Sequence, residues 1–336
     1  MQRRLSDYLL ISLKGIAMGA ADAVPGVSGG TIAFISGIYE ELINTISNVN
    51  LSLLKTLRTS GFFAFWKAFN GNFLVALLSG IIISFVTFMR LAKYLIEYHP
   101  VLIWSFFFGL IIASIYFVGK QINKWHIPTV LALVIGSLLA FYITTLPSSA
   151  NNESPVFLFF AGAIAICAMI LPGISGSFIL LILGAYKSLS DAFYDFDLKK
   201  IALFAGGALV GLLTFSHVLK WLFKNYHNVT LALLTGFIFG SLDKIWPWKS
   251  TSTVMEKTSG VVTRLSDYTS LGNLTIYQQQ LADFDSLKVI TESSVLPNLY
   301  SIQNNDIDAQ ILPAILLMIA GFLTIFILER FGKKVK

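Results

Sequence analysis

Apolar and polar positions along this chain fall in long blocks. Six blocks stay apolar for roughly 18–25 residues, at about 72–96, 101–119, 128–146, 201–223, 229–246 and 310–330. At 1.5 Å per helical residue these lengths suit a ~30 Å hydrocarbon layer, so each predicts a transmembrane helix. Two further apolar blocks, about 7–46 and 156–190, break in the middle, at "AVPGVSGGT" (Ala23–Thr31) and "LPGISGS" (Leu171–Ser177). Each half is then about 15 residues long, short for a crossing. Two short helices meeting at Pro and Gly predict a re-entrant hairpin that enters and leaves by the same side.

Charge tests this layout. Arg3, Arg4, Lys55, Arg58 and Lys67 flank the first broken block. Lys120 and Lys124 follow the second span, Lys220 and Lys224 the fourth, and Arg330, Lys333, Lys334 and Lys336 close the chain. If each broken block returns to its own side, all these clusters share one side, which the positive-inside rule makes cytoplasmic. Both chain ends are then cytoplasmic. The loop "LPSSANNES", without Lys or Arg, and the polar stretch 247–309 fall outside. Two full spans in place of each hairpin preserve the same parity. The stretch 51–69 mixes Lys and Arg with Leu, Phe and Trp. It predicts a helix lying on the cytoplasmic leaflet, the alternative being a solvated connector. The 247–309 stretch predicts either a small outer cap or a loop.

Composition agrees. Of 336 residues, 55% are apolar and 12% charged, with mean hydropathy +0.74. That is too little charge to cover a soluble protein of this size. The net charge of +6 reads as loop charge, since no nucleic-acid-binding motif accompanies it. The single cysteine, Cys167, is read as small-residue packing, and nothing predicts a metal or cofactor. The N-terminal run is interrupted by Lys14 and is read as mature protein, not as a cleaved leader.

The two breaks are related. With Pro25 over Pro172, an offset of 147, "VPGVSGGTIAFISGIYE" aligns with "LPGISGSFILLILGAYK". "TFMRLAKYL" (Thr87–Leu95) likewise aligns with "TFSHVLKWL" (Thr214–Leu222). The chain therefore divides into 1–150 and 151–336, each a hairpin plus three spans, with an extra stretch near 47–70 in the first. Three crossings are an odd number, so the second unit lies upside down. The fold class predicted is an all-α polytopic membrane protein with an inverted-topology repeat. Both hairpin tips then face each other near mid-membrane, as in alternating-access transporters.

Those tips offer chemistry. A helix start carries partial positive charge and unpaired N–H donors, and Gly admits an anion close to the backbone. Ser28, Gly29, Gly30, Thr31, Ser175, Gly176 and Ser177 are candidate contacts to a phosphate or carboxylate. Pro25, Gly26, Pro172 and Gly173 shape the tips. Tight packing explains Gly and Ser in membranes equally well. Asp22, opposite Met169 in the repeat, is a candidate for proton or cation coupling or a simple cap. Glu40 is a weaker coupling candidate beside Glu41 at the interface. Arg90 and Lys93 share a helical face, and His217 and Lys220 match them in the repeat. They would meet an anionic headgroup on either side, or snorkel to lipid phosphates.

"KGIAMGAADAVPGVSGGTIAFISGIYEELI" and "LPGISGSFILLILGAYKSL" closely resemble the polyprenyl-phosphate transporter family, over roughly residues 8–246 and the last span. The resemblance implies translocation of undecaprenyl phosphate, the lipid carrier of envelope synthesis, from the outer leaflet of a bacterial cytoplasmic membrane to its inner one. The partners implied are a polyprenyl-phosphate lipid and the bilayer, with no nucleic acid. Its motif positions here are Pro25, Gly26, Ser28, Gly29, Gly30, Pro172, Gly173, Ser175 and Gly176. Two rivals are weighed. An ion-coupled importer of a small soluble anion fits the repeat equally well. An intramembrane serine hydrolase would use "GVSG" or "GISG" with His99, His217 or His227, and needs a Ser–His pair within reach.

Overall fold

The computed structural model describes residues 3–22, 28–146, 154–256, 261–264, 287–303 and 308–332. Pro25, Gly26 and the last four residues lie outside them. The first broken block forms α1 (Leu5–Asp22), α2 (Gly29–Ile35) and α3 (Tyr39–Ser47). Then come α4 (Leu51–Ala68), α5 (Gly71–Tyr98), α6 (Pro100–Gly119) and α7 (Ile127–Thr145). The second broken block forms α8 (Pro155–Ile170), α9 (Gly176–Ile182) and α10 (Tyr186–Tyr194). It is followed by α11 (Leu198–Asn225), α12 (His227–Gly240) and a 3-10 turn (Leu242–Ile245). Three strands come next, β1 (Lys249–Glu256), β2 (Val262–Arg264) and β3 (Leu287–Ser294). The helices α13 (Pro297–Gln303) and α14 (Ile311–Gly332) end the chain.

By length and composition α6, α7 and α11 can each cross a membrane, and α4 with the first half of α5 forms a pair bent by 48° that passes the same test. α8, α12 and α14 carry shorter apolar stretches. The span expected at 229–246 is a shorter helix. α12 stops at Gly240, whose Cα is pressed against the Ser137 carbonyl of α7.

The strands correct the all-α expectation. They pair antiparallel in the order β2-β1-β3, with Val254 facing Thr263 on one side and Val289 on the other. Two tryptophans tie this sheet to the helices. The Trp246 indole donates to the Val295 carbonyl at 2.8 Å, and the Trp248 indole to the Ala309 carbonyl at 2.7 Å.

In both broken blocks the short helix folds back on the long one, α2 on α1 and α9 on α8. Both short helices end alike. Gly37 and Gly184 each adopt φ 73°. Beyond them the Ile38 N–H reaches the Ala33 carbonyl at 3.1 Å, and the Ala185 N–H reaches the Leu180 carbonyl at 2.9 Å. A left-handed residue at that place closes the helix with a 6→1 bond, and Gly takes it without Cβ strain.

Helix packing recurs in the same registers. α1 lies along α5 with Gly15 against the Leu77 carbonyl and Gly80 against the Ser12 carbonyl. α8 lies along α11 with Gly162 against the Phe204 carbonyl and Gly207 against the Phe159 carbonyl. The paired positions differ by 147 on the first helix and 127 on the second. The remaining spans exchange partners. α6 packs on α14, with Gly109 against the Met318 carbonyl, while α12 packs on α7, with Gly236 against the Leu133 carbonyl. Lipid gives helices no hydrophobic reason to associate, so such side-chain-free approach, with the dispersion contact it allows, holds the bundle. One core cluster joins both parts, including fully buried Tyr39, Phe73, Ile111, Leu234, Ile238 and Ile325.

Candidate functional site

The two chain breaks meet. The Thr31 hydroxyl of α2 accepts the Gly173 N–H at 2.9 Å. The Ser28 hydroxyl lies 3.3 Å from the Met169 carbonyl, and the Tyr39 hydroxyl donates to the Ile170 carbonyl at 3.2 Å. Gly30 sits against those same two carbonyls. The last turn of α8 has no helical partners for its carbonyls, and residues from the other half supply them. This joint is buried: Ser28 is 3% exposed and Thr31 0%.

The described residues of the first tip are internally satisfied. Asp22 accepts the Gly29 N–H at 2.6 Å. Ser28 accepts the Gly30 N–H at 3.1 Å, and its carbonyl takes the Thr31 N–H at 2.9 Å. Asp22 and Ser28 are thus both caps of α2, and a carboxylate stands where an anion was expected. The second tip differs. Ser175 and Ser177 hydroxyls lie 3.0 Å apart, and Ser177 is exposed. Among the described residues the Gly176 and Ser177 N–H groups have no acceptor. Pro172 and Gly173 are buried in the joint, with Gly173 at φ 85° against the Phe237 carbonyl.

The other expected residues stand away from the joint. Lys220 donates to Asn48 at the end of α3, at 2.9 Å. His217 is exposed, its Nδ1 2.7 Å from the Leu213 carbonyl of its own helix. Glu40 lies 3.7 Å from His227 at the start of α12. Arg90 and Lys93 fall on α5, and their side chains are not among those described. α3 thus closes on α11 and α12, with Tyr39 edge-on to Phe223 at 6.0 Å. The corresponding helix α10 packs on α11 of its own half. Among the described residues neither Ser28 nor Ser175 has a histidine within hydrogen-bond reach.

Four charged residues make contacts that the sequence alone did not assign, and one of them, Lys244, was not singled out there at all. Lys14 donates to the Ser36 carbonyl at 2.8 Å, placing a cation on the carbonyl end of α2. A lysine inside an apolar run was its only signal. Arg3 grips Glu41 through two bonds of 2.7 and 2.6 Å, and Asn70 adds a third at 2.9 Å. Burial raises the Glu41 carboxyl, but these bonds outweigh it and hold it below the usual range. Lys244, just past α12, has its ammonium 4.8 Å from the ring centre of Phe178, the residue after Ser177. Burial pushes that ammonium below the ordinary lysine value. Its signal was an Asp243–Lys244 pair inside a stretch expected to span.

A family described as undecaprenyl phosphate translocase-like matches residues 18–263. The chain is 40% identical over 334 residues to a polyprenyl-phosphate transporter of Vibrio cholerae serotype O1, covering 99% of this chain and 100% of that one. It is 34% identical over 270 residues to a polyprenyl-phosphate transporter of Staphylococcus aureus, covering 74% of this chain and 90% of that one. No solved structure matches.

Proposed function

Because this chain belongs to the undecaprenyl phosphate translocase-like family, we propose that it carries undecaprenyl phosphate from the outer to the cytoplasmic leaflet of a bacterial inner membrane. The observation that carries the reading is the joint between the two Pro/Gly breaks, where Thr31 meets Gly173. Broken backbone at membrane depth is tolerated only where protein or a polar cavity satisfies it. Here the described N–H groups of one tip are satisfied by protein, and the other keeps hydroxyls that a phosphate can take.

The halves are inverted repeats in this reading, and both blocks are re-entrant. The matched glycine registers support it, since one helix-pair geometry arises twice from segments separated by constant offsets. The Lys and Arg distribution supports an orientation with α3 and α4 at the cytoplasmic face. α4 exposes Leu54, Phe62 and Phe63, as a helix lying on a leaflet would.

The conformation supports alternating access. α3 seals the cytoplasmic side against α11 through Lys220–Asn48 and Tyr39–Phe223. Ser177 remains exposed at the second tip. The headgroup arrives from the outer leaflet at Ser175 and Ser177, passing Arg90 and Lys93. The halves then rock, and it leaves past His217 and Lys220 while the polyprenyl tail stays in lipid. Asp22 serves as the cap that keeps the first tip intact through the cycle.

Reconstitution with labelled undecaprenyl phosphate, following its leaflet with an impermeant probe under set pH gradients, tests this reading. Accelerated movement with the phosphate lipid and none with a small soluble anion is expected. Uptake of a soluble anion without lipid movement would replace the reading with that of an importer.

A further inference from the structure

A cationic and aromatic cluster lies where the sheet joins the helices, beside the second tip. Lys249 ion-pairs with Glu292 at 3.4 Å and lies 4.5 Å over the Trp104 ring. Its charge therefore has a partner. Lys244 is placed differently. Its Nζ rests over Phe178, and among the described residues no carboxylate lies within ion-pair distance. A ring face attracts an ammonium weakly, on the order of 1 kcal/mol. Glu292 and Asp243 act on it only at longer range, with Lys249 opposing them, so a part-buried cation without a direct carboxylate contact can take an anion.

The neighbouring groups define which anion fits. Phe178 places the ammonium one residue along from Ser177, whose hydroxyl lies 3.0 Å from that of Ser175. A cation resting on Phe178, and two hydroxyls within three residues of Phe178 in the chain, are groups that the several oxygens of a phosphomonoester can take. Trp246 stacks edge-on to Phe108 at 5.2 Å and to Trp248 at 5.5 Å, giving the rim an aromatic wall. Ser175, Ser177 and Phe178 belong to the repeated motif, whereas Lys244, Phe108, Trp246 and Trp248 do not. The counterpart of Lys244 at the 127 offset is Phe117, in the buried core. The two tips are therefore unequal: the first holds an acid, Asp22, and the second has a cation beside it.

Resting on the translocation reading above, we propose that Lys244 is the specificity-determining residue that captures the phosphomonoester headgroup at the second tip, together with Ser175 and Ser177. The lowered proton affinity of Lys244 accords with this, because a bound dianion would restore it. A lipid headgroup and free phosphate share this chemistry, so the test separates them.

The test titrates purified full-length protein with undecaprenyl phosphate, undecaprenol and inorganic phosphate, read by the fluorescence of the adjacent tryptophans. Wild type should bind undecaprenyl phosphate and not undecaprenol. Lys244→Gln should weaken that binding at least about tenfold, the scale of one charge-assisted hydrogen bond. Lys244→Arg should stay within a few-fold of wild type. Lys244→Met, which keeps the stem over Phe178, gives the same readout if the Gln variant fails to fold. Unchanged affinity in a folded Gln or Met variant overturns the assignment and leaves the translocase reading standing. Lys244-dependent binding of inorganic phosphate, with no binding of the lipid, keeps the anion site and overturns the translocase reading.

Discussion

At the scale of single residues, the joint separates structural acids from candidate coupling groups. Asp22 bonds the Gly29 N–H, and Asn at this position would offer the same carbonyl oxygen. Asp22→Asn should therefore unfold at the same temperature as wild type, while Asp22→Ala should lose about 1–2 kcal/mol, as removal of a helix N-cap does. Thermal unfolding in detergent measures both. If capping is its whole role, the Asn variant also keeps its transport rate across a pH gradient; a lost gradient response would return Asp22 to proton coupling. Glu41 gives a pH prediction. Its carboxyl, held down by Arg3 and Asn70, titrates lower folded than unfolded. The stabilisation it gives is present above the ordinary carboxylate range and is lost as pH falls through the folded value. Amides near Arg3 should lose protection relative to their intrinsic exchange rates in acid, and Glu41→Gln should abolish that pH step.

At the scale of elements, matched registers make matched predictions. Gly15 and Gly162 face carbonyls of α5 and α11 in equivalent ways. Leu at either site should push the helix pair apart and cost roughly 1–3 kcal/mol or more, as overpacking does. Gly119→Leu, which meets nothing within 4 Å, should be mild. Unequal losses at Gly15 and Gly162 in thermal unfolding would argue against equivalent packing. These elements were legible because membrane helices write themselves as long apolar runs and because the Pro/Gly breaks recur at one offset. The helices expected at 72–96 and 201–223 appear as α5 and α11, each longer by a turn or less at either end; of the two only α11 is by itself long and apolar enough to span among the described residues. The sheet was hidden because β1, "KSTSTVME", carries Ser and Thr on both faces, and its pairing with β3 spans more than thirty residues. Lys244 was hidden for a related reason. Its meaning depends on Phe178, far away in sequence, and no periodicity reports a contact between distant segments of one half.

At the scale of the whole molecule, the seal made by α3 sets up a prediction about its mirror image. Asn48 meets Lys220 at the end of α11. Applying the 147 and 127 offsets turns that pair into Asp195 and Lys93. The inner contact is a neutral amide with a cation; its mirror would be an ion pair. If the halves rock about the joint, Asp195 and Lys93 should approach when Asn48 and Lys220 separate. Cysteines at 48 and 220, or at 93 and 195, in a Cys167→Ala background can be joined by a short thiol-to-thiol linker. The inner pair should link readily in resting protein, as the observed 2.9 Å bond implies. The mirror pair should link mainly under turnover with undecaprenyl phosphate, and either link should stop transport. In a four-cysteine protein the two links should exclude each other, since each traps the seal that the other requires open. Molecules carrying both links at once, separated by mass on a gel, would show that both sides close together and would rule out rocking as the way the headgroup crosses.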